Sequence, residues 1–144
     1  MDIVEELLAD HLKLRAAMSE LEAGRVTRES LARFVHDLLT HARLEDDLLF
    51  RSLEGSLPAD HGPLAVMRAE HEEIEGRLAR LDGADPGEQD LAGELKRLVA
   101  VAREHFLKEE EVLFGFARRL IDAERLRALG AELAERRGAE TPVA

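Results

Sequence analysis

The chain has 144 residues, 45% of them hydrophobic, with no cysteine, tryptophan or tyrosine and a formal net charge of −11. That length suits one domain with a real core. The missing cysteine excludes disulfides, thiol catalysis, iron–sulfur clusters and thiolate zinc sites, and so acidic a surface argues against nucleic-acid and membrane partners.

A bias to Ala, Leu, Glu and Arg favours helix, and β-branched residues occur singly, so one all-α domain is expected over residues 1–144. Met1 to Glu6 lack the basic region and apolar core of a signal peptide. No apolar run approaches the ~20 residues that span a bilayer. A cytoplasmic location is expected. The first helix runs from about Asp2 to Ala23 and turns Leu7, Leu8, His11, Leu14, Met18 and Leu21 to one side, with Gly24 placed to end it. Thr27 caps a second helix carrying Leu31, Phe34, Leu38, His41, Leu48 and Leu49, broken at Glu54 to Pro58. A third starts near Pro63, with Leu64, Met67, His71, Ile74, Leu78 and Leu81 inward.

Asp82 to Gly87 is the clearest turn, and Asp85, Pro86 and Glu88 resemble a helix start. The fourth helix carries Leu95, Leu98, Val101, His105, Val112 and Leu113, with a bend expected near Gly115. Asp122 caps a fifth, amphipathic segment to about Arg137, where Leu126, Leu129 and Leu133 form either an internal cover or a dimer contact. Residues 138–144 read as a frayed tail.

The chain repeats internally. Asp10-His11 opens one half and Glu70-His71 the other. The stretch from His41 through Glu45 to Phe50 then matches that from His105 through Glu109 to Phe114: His, three residues, Glu, an acidic pair, and an apolar pair ending in Phe. Two helix pairs in the same internal order suggest a pseudo-twofold bundle.

Residues four apart on a helix differ by about 40° in direction and about 6 Å in rise. His41 and Glu45 therefore point the same way, as do His105 and Glu109, and His11 and His71 add one nitrogen each from the other two helices. One inward histidine is ordinarily a satisfied core residue. Four, with a glutamate twice at one offset, describe a dinuclear metal site of the kind bundle interiors build. Imidazole and carboxylate donors without thiolate suit iron, manganese less well, and zinc least, since zinc favours four tetrahedral ligands.

The order His, His-x3-Glu, His, His-x3-Glu resembles the hemerythrin-like HHE cation-binding domain over nearly the whole chain. The resemblance implies an antiparallel up-down four-helix bundle around an oxo- or hydroxo-bridged centre of two iron ions. By position the implied ligands are His11, His41, Glu45, His71, His105 and Glu109, with Glu45 and Glu109 bridging. The pattern departs from oxygen-carrying hemerythrins, which have His-x3-His where this chain has Met67 and His71, and His-x4-Asp where it has His105 and Glu109. One iron is thus expected to be short of a histidine, with Glu75, one turn after His71, as the candidate extra ligand. His36 and His61 read as surface residues. Asp10 and Glu70 read as solvated rather than as acceptors behind the histidines, and Asp46, Asp47, Glu110 and Glu111 as acidic exterior. Phe50 and Phe114 are expected to plug the bundle near the metals.

Three functions fit: a module that binds or responds to O2, NO, peroxide or iron; an enzyme that decomposes peroxide or reduces NO; and a structural or iron-storage site. Only the first two need an open coordination position. With no Tyr, Trp or Cys, no side chain stands ready to carry a radical.

Overall fold

The computed structural model describes residues 1–140, and among them every regular element is helical. The elements are α1 (Ile3–Glu22), α2 (Arg28–Leu44), a π-helical turn π1 (Glu45–Phe50), α3 (Arg51–Leu53), α4 (Gly62–Leu81), α5 (Leu91–Lys108), a second π-helical turn π2 (Glu109–Leu113), α6 (Phe114–Leu120) and α7 (Ala123–Glu140). The runs α2–π1–α3 and α5–π2–α6 are continuous rods. With α1 and α4 they make the four-helix bundle, and α7 packs against its outside.

Local chemistry sets the ends. Asp2 caps α1 through a reciprocal box, accepting from the Glu5 N–H at 2.9 Å while Glu5 accepts from the Asp2 N–H at 3.0 Å. Thr27 and Ser30 do the same for α2. Asp122 accepts from the Arg125 N–H at 2.8 Å and starts α7. The expected cap at Asp85 fails. The Asp85 N–H donates to Glu88 Oε1 at 3.1 Å, but the Asp85 carboxylate accepts from the Gly87 N–H at 3.0 Å, so these residues close a turn through Pro86 and Gly87, and α5 begins only at Leu91. Glycine there favours the turn over helix. The bend expected at Gly115 is likewise displaced, because the irregularity is π2. The helix also continues through residues 138–140, where a tail was expected, and residues 141–144 lie outside the described ones.

Apolar residues form two separate cores. The upper one joins Leu14, Met18 and Leu21 of α1 to Phe34 and Leu38, Ile74 and Leu78, and Leu95, Leu98 and Phe106. The lower one joins Ile3, Val4 and Leu7 to Leu48, Leu49, Phe50, Leu64, Met67, Leu113 and Phe114. Leu126, Leu129 and Leu133 belong to the lower core and are 3%, 1% and 0% exposed, so α7 is an internal cover. Two residues expected inside face out instead: Leu8 is 37% and Val112 46% exposed. For Val112 the cause is π2, which changes the angular step along the helix.

Gly130 sets how α7 lies. A methyl at its α-carbon would sit 2.7 Å from the Asp2 carbonyl carbon, 2.9 Å from the Ile3 nitrogen and closer still to the Met1 carbonyl oxygen. Only a residue without a side chain lets α7 rest on the first backbone atoms of α1.

Candidate metal centre

Between the two cores lies a polar layer. His11 comes from the middle of α1, His41 from the last turn of α2, Glu45 from the start of π1, His71 from the middle of α4, His105 from the last turn of α5, and Glu109 from the start of π2. None is more than 3% exposed. They form two sets, His11, His41, Glu45 and Glu109, and His71, His105, Glu45 and Glu109. Within each set the candidate donor atoms all lie within 4.8 Å of one another, and both carboxylates belong to both sets. Glu109 Oε1 lies 3.2 Å from His11 Nε2 and 3.3 Å from His105 Nε2, while Glu45 Oε1 lies 3.0 Å from His71 Nε2.

The outer face of each imidazole is held by a carboxylate from another helical rod. His11 Nδ1 meets Glu110 at 2.6 Å, His41 Nδ1 meets Asp10 at 2.9 Å, His71 Nδ1 meets Asp46 at 2.8 Å, and His105 Nδ1 meets Glu70 at 2.8 Å. Each pair puts a proton on Nδ1, so that in the neutral imidazole the Nε2 lone pair is aimed inward. The pattern obeys the internal repeat. The acid before each lone histidine, Asp10 or Glu70, serves the histidine of the following His-x3-Glu, and the acid after each glutamate, Asp46 or Glu110, serves a lone histidine. These four acids were expected to be solvated or exterior, and the structure corrects that. The π turns begin where Glu45 is followed by Asp46 and Glu109 by Glu110, so successive carboxylates can serve the layer and its rim.

The inner atoms have no such partners. His11, His41, His71 and His105 each leave Nε2 without a hydrogen bond of acceptable geometry, and Glu45 and Glu109 leave both oxygens so. An orphaned buried polar group costs ~1–3 kcal/mol, and eight such atoms together rival the ~5–15 kcal/mol that stabilises a whole domain. Protons or cations must relieve that cost. Burial, together with the charge of Glu109, pushes the Glu45 carboxyl well up. The burial of Glu109 is outweighed by the close approach of Glu45, His105 and His11, which holds it well below the usual range. Burial pulls His41 down despite its bond to Asp10. On His71 burial is overcome by the hydrogen bond to Asp46 and the closeness of Glu45, which raise it to about 10. The two histidines diverge because His71 also touches Glu45. A divalent cation would take the place of these shared protons. Donor type, convergence and orphaned lone pairs all fit a pair of imidazole- and carboxylate-bound metal ions.

All six residues expected at the site are thus brought together. Two histidines fall in each set. Met67 is buried in the lower core. Glu75 lies outside both sets, with its carboxylate 3.8 Å from the Arg43 guanidinium. His61 is exposed and bonds Asp60 at 2.8 Å. His36 is half-buried and outside both sets, but it lines a cavity of about 200 Å³ against the outer edge of His41, together with Asp10, Lys13, Asp37 and Arg137. Phe50 stacks on His71 at 4.8 Å and Phe114 on His11 at 5.7 Å, as their place in the repeat suggested. Phe106 stacks on His11 more closely, at 4.0 Å.

No helix among the described residues is long and apolar enough to cross a membrane. No individual curated protein matches the sequence significantly. Among solved structures, a crystal structure of a hemerythrin HHE cation binding domain-containing protein from Mycobacterium kansasii superposes with a TM-score of 0.80. It is 21% identical, and the match covers 97% of this chain and 87% of that one. The sequence model of the hemerythrin HHE cation binding domain matches residues 2–117, which contain the whole polar layer. The chain belongs to the hemerythrin HHE cation-binding domain family.

Proposed function

We propose that this protein is a cytoplasmic non-haem di-iron protein that binds or responds to O2, NO or a reactive oxygen species in its bundle core. One observation carries the reading: four Nε2 lone pairs, each aimed by a carboxylate on Nδ1, converge on two positions that share Glu45 and Glu109. His11 and His41 would hold one ion, His71 and His105 the other, and the two glutamates would bridge them. Bound there, iron supplies redox chemistry and affinity for diatomic and peroxide ligands.

The chain's own residues set the limits. Two imidazoles and two shared carboxylates give four protein donors per position, fewer than the ~6 of an octahedral ion. Room is left for solvent or an external ligand at both positions, which disfavours a closed structural site. The layer is almost wholly buried, and Phe50, Phe106 and Phe114 lie against its imidazoles, so only a ligand of a few atoms fits. The apolar flanks keep the donors unhydrated and their electrostatics strong.

The test is metal content per chain, on protein grown with iron and purified without chelator. About two irons per chain supports the reading, and azide should then perturb the visible spectrum. Little iron, or a single zinc, sinks it. Many turnovers of peroxide or NO per site would instead identify an enzyme, and binding without turnover a carrier or sensor.

A further inference from the structure

Three of the four carboxylates behind the histidines are themselves gripped by a cation. Arg15 donates to both oxygens of Glu110, at 2.8 and 3.1 Å, behind His11. Lys108 donates to Glu70 behind His105. Arg137 donates through Nη2 to Asp10 Oδ2 at 2.8 Å, the same oxygen that holds His41 Nδ1. Asp46, behind His71, has no cation partner among the described residues.

Arg15 and Lys108 sit one turn from ligand histidines on the same helices. Arg137 is different. It comes from α7, 127 residues along the chain from Asp10 and beyond the region that matches the family. Its reach depends on how α7 lies. Gly130 rests on Met1 to Ile3, and Arg137, two turns on, spans Glu6 at 3.4 Å and Asp10 at 2.8 Å. The two helices therefore run side by side in the same direction. An aspartate held from two directions at one oxygen has little torsional freedom left, and it passes that restriction to the imidazole it orients.

We propose that Arg137 is a positioning residue of the metal centre, so that docking of α7 along α1 fixes His41 and sets how firmly one of the two ion positions is held. The inference rests on the dinuclear reading above.

The experiment is anaerobic loading with ferrous iron alone, followed by a challenge with excess ferrous chelator, the release being timed by absorbance. Wild-type protein should hold two ions and release both slowly. Arg137→Met, and equally Arg137→Gln should the first fold poorly, should release one ion about tenfold faster, the low end of the effect of losing an outer partner. Arg15→Met adds to the same ion, so Arg15→Met/Arg137→Met still shows one fast ion. Lys108→Met acts on the other, so Lys108→Met/Arg137→Met should release both quickly. Glu6→Gln, which removes a second carboxylate beside Arg137, should leave the rates alone. Unchanged release in both Arg137 variants, or equal acceleration of both ions as in a bundle merely loosened, overturns the proposal. Wild-type protein that takes up no iron fails earlier and overturns the dinuclear reading itself.

Discussion

Replacing Gly130 with alanine should destabilise the protein, although alanine is the better helix former. In an unconstrained helix interior the exchange is favourable by about 1 kcal/mol. Here the new methyl would lie 2.7 Å from the Asp2 carbonyl carbon, against the 3.4 Å of ordinary contact. The neighbour is backbone and cannot rotate aside, so α7 must move away by at least ~0.7 Å. Overpacking of this kind costs ~1–3 kcal/mol, and Leu126, Leu129 and Leu133 lose contact in the same movement. The expected result is a net loss of about 0–2 kcal/mol, which is the packing cost less the propensity gain. Gly76→Ala is the matched control. Gly76 is exposed, mid-helix in α4 and has nothing within 4 Å of its prospective methyl, so that change should stabilise by ~0.5–1 kcal/mol. Urea unfolding of the metal-free proteins, followed by far-ultraviolet circular dichroism, compares the two. If both substitutions stabilise alike, α7 does not lie on the α1 backbone as described.

His41→Ala or His105→Ala should lower iron content and destabilise the bundle, since metal binding adds to folding free energy; unchanged stoichiometry in both would refute the ligand assignment. His36→Gln and His61→Gln should leave metal content intact, because both residues lie outside the two donor sets; iron loss would move the site. Burial raises the Asp2 carboxyl, but the Glu5 N–H and the Arg118 guanidinium outweigh it, so it sits below its ordinary 3.8. A depressed carboxyl stabilises above its unfolded value and loses that contribution as pH falls through the folded one. Asp2→Ala should therefore cost about 1 kcal/mol at neutral pH, and the gap from wild type should narrow below pH ~4. A gap that holds constant into acid would mean the charge at this cap contributes nothing.

The ligands were legible because each carries its own signal: a histidine on an apolar face, repeated in two halves, with a glutamate one turn on. Their surroundings were not. Asp46 and Glu110 look like members of an acidic exterior because each partner histidine is on another rod, 25 and 99 residues away. The π turns have no pattern that separates them from regular helix. Gly130 lies in an ordinary amphipathic stretch, and what requires it is the backbone at the opposite end of the chain.

The polar layer divides the interior into two apolar bodies that do not touch through like surfaces. Metal-free, the layer holds orphaned polar atoms and shared protons where a core would ordinarily hold adhesive contact. The halves are then joined mainly by helical rods running through both. Cooperativity of unfolding depends on each part failing when its neighbour fails. Cations bonded to donors from all four rods would supply that dependence, turning a broad, two-part melt into one sharp transition. Amide exchange should register the change, with opening of the upper and lower bodies separable in the first case and concerted in the second.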